Sequence, residues 1–230
     1  MSTMKDHADA TATYAIDFPP LADTSMLRDP PPTARGVRTR AALIEGARRV
    51  FQRSGYLDAQ ITDITKAARC STGTFYTYFS NKDEILQAVL EQVQDDMLHP
   101  GIARLDDDSE MSPYALIEAS NRAYLRAYQR NAKLMMLLEQ VAIADPNFRE
   151  TRRRRGQAFV VRNAHVIADL QKRGLADPRL DAYQASRALS AMMSRVAYFS
   201  FCLGDDTPIE VLVETSTRIW ANALKLPTPT

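Results

Sequence analysis

Residues 61–83 (ITDITKAARCSTGTFYTYFSNKD) constrain this chain more than any other stretch. Two short helical segments meet there at a tight turn around Cys70 and Ser71. The first carries Ile64, Ala67 and Ala68, and the second runs from about Thr72 to Tyr78. The second holds three threonines, two tyrosines and one glycine in seven residues. Small side chains let a backbone approach the floor of a groove, and hydroxyls donate to phosphate oxygens or base edges. A glycine inside a helix costs roughly 1 kcal/mol relative to alanine. Gly73 therefore points to close approach by a partner outside the helix, at the expense of the helix's own stability.

The charge pattern agrees. The formal net charge is only +1, which by itself says nothing about polyanions. From Arg35 to Lys82, however, nine Lys/Arg stand against three Asp/Glu (Glu45, Asp58, Asp63). Such a local excess is the footprint of phosphate binding, with a merely solvated basic face as the alternative. An architectural protein that coats any duplex would carry a stronger overall positive charge.

The rest of the chain reads as helices separated by Pro, Gly and capping residues. Residues 1–34 are poor in aliphatics, carry Pro19, Pro20 and Pro30 to Pro32, and are expected to be a disordered arm. From Val37 the period is helical, with Leu43, Ala47, Val50 and Phe51 on one face and Gly55 as the stop. Thr62 is expected to cap the next helix, and Ser80 with Asp83 to form a capping box. That box would open a helix with Ile85, Leu86, Val89, Leu90, Val93 and Met97 on one side, closed by His99-Pro100-Gly101. The acidic residues Asp106 to Asp108 and Glu110 read as a loop. Further helices are expected from Ser112-Pro113 to about Arg130, from Asn131 to Ala144, and from Asp145-Pro146 to about Arg173. Two more would run from Asp181 to Leu203 and from Thr207-Pro208 to about Leu226. No strand or repeat is evident. The expectation is an all-α protein of about nine helices: a three-helix DNA-binding domain (35–82, linked by a helix to about 98) and a helical ligand-binding and dimerisation domain (99–227).

Thr62, Ile64, Ser71, Gly73, Thr74, Phe75, Tyr76, Tyr78, Phe79, Lys82 and Leu86 fill a pattern that resembles the helix-turn-helix of TetR-family transcriptional regulators, over about residues 37–97. The resemblance implies roles residue by residue. Thr62 would hold a phosphate; Ser71, Thr72, Gly73, Thr74 and Thr77 would lie at the major groove; Tyr76 and Tyr78 would touch phosphates or thymine methyls. Lys82 would pair with a phosphate, and Ile64, Ala68, Phe75 and Phe79 would be core. Tyr76 and Tyr78, two positions apart, cannot share one helix face, so packing competes with a DNA role for each. Thr72 stands where relatives often have a lysine, so their base preference does not transfer. Arg38 and Arg40 are candidates for reaching DNA from the arm.

The last two helices carry apolar residues on more than one side, so a second copy is expected to cover one of them through Val196, Phe199, Leu212, Ile219 and Trp220. A homodimer implies a palindromic operator in double-stranded DNA. Tyr124, Tyr128, Met135, Leu138, Phe159, Met192 and Met193 could line an adaptable apolar pocket for a small-molecule effector or be plain core, with His165 as a possible polar anchor. Arg152 to Arg155 spread around a full turn and read as solvated. The expected function is repression relieved by a small, apolar ligand. Activation would use the same parts, and non-specific architectural binding is the other alternative. No enzyme motif, cofactor site or metal-ligand spacing is present: Cys70 and Cys202 lie far apart and three histidines are scattered. A reduced, cytoplasmic location is expected, with no membrane partner.

Overall fold

The computed structural model describes residues 31–98 and 112–227. The expected arm lies almost wholly outside the described residues, as do the acidic loop and the His99-Pro100-Gly101 stop. Among the described residues there are eight helices: α1 (Ala34–Ser54), α2 (Ile61–Ala68), α3 (Thr72–Tyr78), α4 (Lys82–Leu98), α5 (Pro113–Ala144), α6 (Pro146–Lys172), α7 (Ala182–Cys202) and α8 (Ile209–Leu224).

Capping chemistry sets most of the boundaries. α1 starts at Ala34, ahead of Val37, because the Thr33 hydroxyl accepts the Gly36 N–H at 3.1 Å. It stops at Gly55, whose φ of 73° suits a residue without a Cβ. Ser112, Asp145 and Asp181 cap α5, α6 and α7 with their side-chain oxygens. Two expected caps are displaced. Thr62 lies inside α2, which Gln60 precedes without a side-chain cap bond. At α4 the cap is Asn81, whose Oδ1 accepts the Glu84 N–H at 2.8 Å, and Glu84 reaches back to the Ser80 N–H. Asp83 instead accepts a hydrogen bond from the Tyr56 hydroxyl.

The expected break at Asn131 does not occur, which reduces nine helices to eight. α5 runs unbroken for 32 residues. Asn131 is 1% exposed, and its amide donates to the Ala127 carbonyl at 3.0 Å and to Asp96 at 2.8 Å. Its polar atoms are satisfied by tertiary partners, so it has no call to leave the helix.

α1, α2, α3 and the start of α4 close over Leu43, Ala47, Val50, Phe51, Ile64, Phe75, Phe79 and Leu86, none more than 2% exposed. α5 is the central helix of the second part, packed against α4, α6, α7 and α8. Its Leu125, Leu134, Met135 and Leu138 are buried to 2% or less. Trp220 was expected at the subunit contact, but it is 3% exposed inside the protomer with Val213, Ala221 and Leu224. Replacing it with alanine should lower the unfolding free energy by about 3–5 kcal/mol in a denaturant titration followed by circular dichroism. A change below about 1 kcal/mol would place Trp220 outside the core.

Candidate nucleic-acid interface

α3 is anchored by Phe75 and by Phe79 just past its end, both fully buried with ring centroids 5.8 Å apart. The Ser71 hydroxyl caps it, accepting the Thr74 N–H at 3.1 Å and lying 2.9 Å from the Thr74 hydroxyl. Thr72, Gly73, Tyr76 and Thr77 occupy successive turns of the opposite face, and all four are exposed, Tyr76 to 51%. The Thr77 hydroxyl donates to the Gly73 carbonyl at 3.2 Å. Tyr78, two positions from Tyr76, points the other way. It is partly buried against the core, and a Cβ on Gly36 would lie 3.5 Å from its hydroxyl. The helical period thus separates the two tyrosines into one that faces out and one that props the start of α1.

Gly46 and Gly73 contrast. A Cβ on Gly46 would meet the Ala68 nitrogen and the Ile64 carbonyl at 3.0 Å, so the crossing of α1 and α2 requires glycine there. A Cβ on Gly73 would meet only the Ser71 hydroxyl, at an ordinary 3.8 Å. Nothing among the described residues demands glycine at position 73.

The remaining predicted contacts divide. Thr62 is exposed on the first turn of α2, Arg38 is exposed on α1, and the Arg40 guanidinium lies 5.3 Å from the centre of the Phe79 ring. Lys82 is turned inward. Its ammonium donates to the carbonyls of Tyr56 at 2.7 Å, Leu57 at 3.3 Å and Ala59 at 3.0 Å, and lies 4.4 Å from the centre of the Tyr56 ring. An ammonium has three donors, and here each has an acceptor. Lys82 therefore ties the α1–α2 loop to the start of α4, a role its place in the motif did not reveal.

The head is joined to the second part by polar bonds as well as by α4. Arg48 of α1 donates to the side-chain Oδ1 of Asn131 at 3.1 Å, and Asp96 of α4 accepts from both Asn131 and Arg130. The candidate effector residues meet in part. Tyr124 lies tilted to Tyr128 and edge-on to Phe159, at 6.0 and 5.3 Å between centroids, and Met135, Leu138 and Met193 are buried while Met192 is partly so. His165 is exposed on α6 and does not join them. Of the four arginines read as solvated, Arg152 pairs with Glu139, and Arg153 and Arg154 with Glu150. Arg155 turns inward over Tyr128, and the signal was its spacing of four from Thr151 and from Phe159, both buried. Burial pushes the Cys70 thiol up, against a reactive thiolate in the turn.

Lys82→Ala should lower stability by about 1–3 kcal/mol, since it strips partners from partly buried carbonyls. Thermal and denaturant unfolding check this; a variant that loses DNA affinity at unchanged stability would return Lys82 to the phosphate backbone.

Comparison with known proteins agrees with this geometry. Residues 43–89 match the family model described as bacterial regulatory proteins, tetR family. The chain is 29% identical over 162 residues to the HTH-type transcriptional regulator TtgR of Pseudomonas putida, covering 66% of this chain and 75% of TtgR. It is 23% identical over 194 residues to the HTH-type transcriptional regulator EthR of Mycolicibacterium smegmatis, covering 80% and 85%. Salmonella enterica GusR shares the fold with a TM-score of 0.68 at 20% identity, over 82% of this chain and 96% of GusR. A TetR transcription regulator from Haloarcula marismortui does so at 0.68 and 20%, over 81% and 97%. With a capped α3 presented on a three-helix head and an all-helical second part, the chain is similar to the tetR family of bacterial transcriptional regulators, whose family model its residues 43–89 match.

Proposed function

We propose that this protein is a dimeric repressor that binds a palindromic operator through α3 and leaves it when a small molecule binds among α4 to α7. The observation that carries the DNA part is Gly73. It sits exposed in the first turn of α3 on a face with Thr72, Tyr76 and Thr77, and no contact among the described residues requires it. A helix-weakening residue with no intramolecular reason is what close approach to a groove would select. Tyr76, Thr62 and Arg38 are the proposed phosphate contacts, with Arg40 and Tyr78 setting the start of α1 from behind. Lys82 acts by holding the loop, and its charge adds to the basic field.

Support for the dimer comes from the outer faces of the last two helices. Phe199 on α7 and Leu203 just past its end are 48% and 58% exposed, and Val211 and Ile219 on α8 are 49% and 43% exposed. Val196 and Leu212 lie half-buried at the same faces. An apolar face of this kind is best covered by its own copy, giving a two-fold contact between helix pairs. No helix among the described residues is long and apolar enough to cross a membrane, so these faces are not spans.

Two outcomes test the proposal. Gly73→Ala should leave thermal stability unchanged or raise it, by up to about 0.5 kcal/mol, while weakening binding to the upstream inverted repeat in a shift assay. Tyr76→Ala should weaken that binding roughly tenfold without unfolding the protein. Unchanged operator affinity in both variants removes α3 from the interface. Separately, Phe199→Glu combined with Ile219→Glu should yield folded monomers by light scattering and abolish operator binding; a double variant that stays dimeric refutes the α7–α8 contact.

A further inference from the structure

The strongest unexplained feature of the second part is Arg155. It lies on the inner face of α6, four residues from Thr151 and four from Phe159, which are 2% and 7% exposed. Its guanidinium centre is 5.9 Å from the centre of the Tyr128 ring, and Nη2 donates to the Met97 sulfur at 2.9 Å. A thioether is a weak acceptor. Nε is buried and has no hydrogen-bond partner among the described residues. The carboxylates nearby in sequence are committed elsewhere, Glu139 to Arg152 at 2.7 Å and Glu150 to Arg153 and Arg154 at 2.7 and 2.8 Å. Of the four consecutive arginines, Arg155 thus has no carboxylate partner among the described residues.

The side chain as a whole is half-buried, but its Nε is shielded from solvent with no acceptor, and no carboxylate among the described residues pairs with the guanidinium; an unsatisfied buried donor of this kind calls for a partner. The surroundings are aromatic. Tyr124, Tyr128 and Phe159 form a ring cluster beside it, with Phe201 6.3 Å from Tyr128 between centroids. Burial raises the pKa of both tyrosine hydroxyls, and the Arg155 charge opposes that rise in each. They remain neutral donors in the physiological range and do not supply the missing anion.

We infer that Arg155 is the anion-recognising residue of the effector site, and that the effector is a small organic acid. Its carboxylate pairs with the guanidinium, and its hydrocarbon or aryl body lies against Tyr124, Tyr128 and Phe159. A planar guanidinium matches a carboxylate through two parallel N–H donors, and Nε with one Nη is the pair such a fork uses. This rests on the regulator reading above for its biological meaning. It also connects the site to the head: Met97 lies near the end of α4, so an acid that draws Nη2 away from the sulfur changes how that end is held. A ligand shifts the equilibrium between two states only by binding them unequally, and this contact differs between bound and unbound protein.

The test is calorimetric titration of the full-length protein with 4-phenylbutyrate and with its neutral amide, 4-phenylbutyramide. The acid should bind at least about tenfold more tightly than the amide. Arg155→Met should abolish that preference, and Arg155→Lys should keep part of it. Circular dichroism establishes that each variant is folded, and Arg155→Gln replaces the Met variant if that one does not unfold cooperatively. Equal affinity for acid and amide, binding of neither, or an acid preference that survives removal of the guanidinium overturns the assignment. A shift assay with the upstream inverted repeat separates the two readings. Operator binding without acid preference leaves the regulator standing and removes the acid site. Arg155-dependent acid binding in a protein that ignores every palindrome does the reverse.

Discussion

The packing of α4 is the constraint on which the rest depends. From Glu84 to Leu90 every residue is buried, seven in succession, which no single helix face can accommodate. α1 covers one side, and α5 and α6 cover the other. The head is therefore not tethered by a linker; it shares a core with the second part. A close-packed core rearranges between discrete states, not through a continuum, so neither the head nor the second part can repack independently of α4. Two buried polar residues on α4 fix its rotation: Glu84 holds the Ser80 N–H, and the Gln87 amide donates to the Thr151 hydroxyl at 2.7 Å.

Two further routes join the halves, and both run through groups that prefer a single geometry. Asn131 lies at the meeting of α1, α4 and α5, where Arg48, Asp96 and the Ala127 carbonyl satisfy its amide. Tyr56, in the loop after α1, bonds Asp83 and receives the Lys82 ammonium over its ring, while that ring meets Phe148 of α6 edge-on at 6.3 Å. Buried polar networks tolerate little displacement, because a half-satisfied member loses its partners without regaining water. Through this corner the α1–α2 loop and the start of α4 are packed against the start of α6.

Much of this was legible locally. The caps at Ser112, Asp145 and Asp181 and the positive φ of Gly55, Gly174 and Gly204 depend on residues within one turn, so sequence alone locates them. The outward set on α3 follows from the helical period once Phe75 and Phe79 are taken as core. The misreadings share one cause. Asn131 resembles a cap and Lys82 a surface charge, yet each finds its partners far along the chain, Asn131 with Arg48 and Lys82 with Tyr56 to Ala59. Trp220 resembles an interface anchor and is core, because the fold packs α5 against α8.

The sequence by itself determined an all-helical chain, the turn between α2 and α3, and the surface that α3 offers, since each follows from contacts a few residues apart. Only the tertiary structure decided where the ammonium of Lys82 is spent, and which one of four consecutive arginines turns inward with no carboxylate partner among the described residues. Those outcomes depend on long-range packing: a polar side chain takes its role from whichever distant acceptors the fold brings within about 3 Å of it, and periodicity carries no record of them.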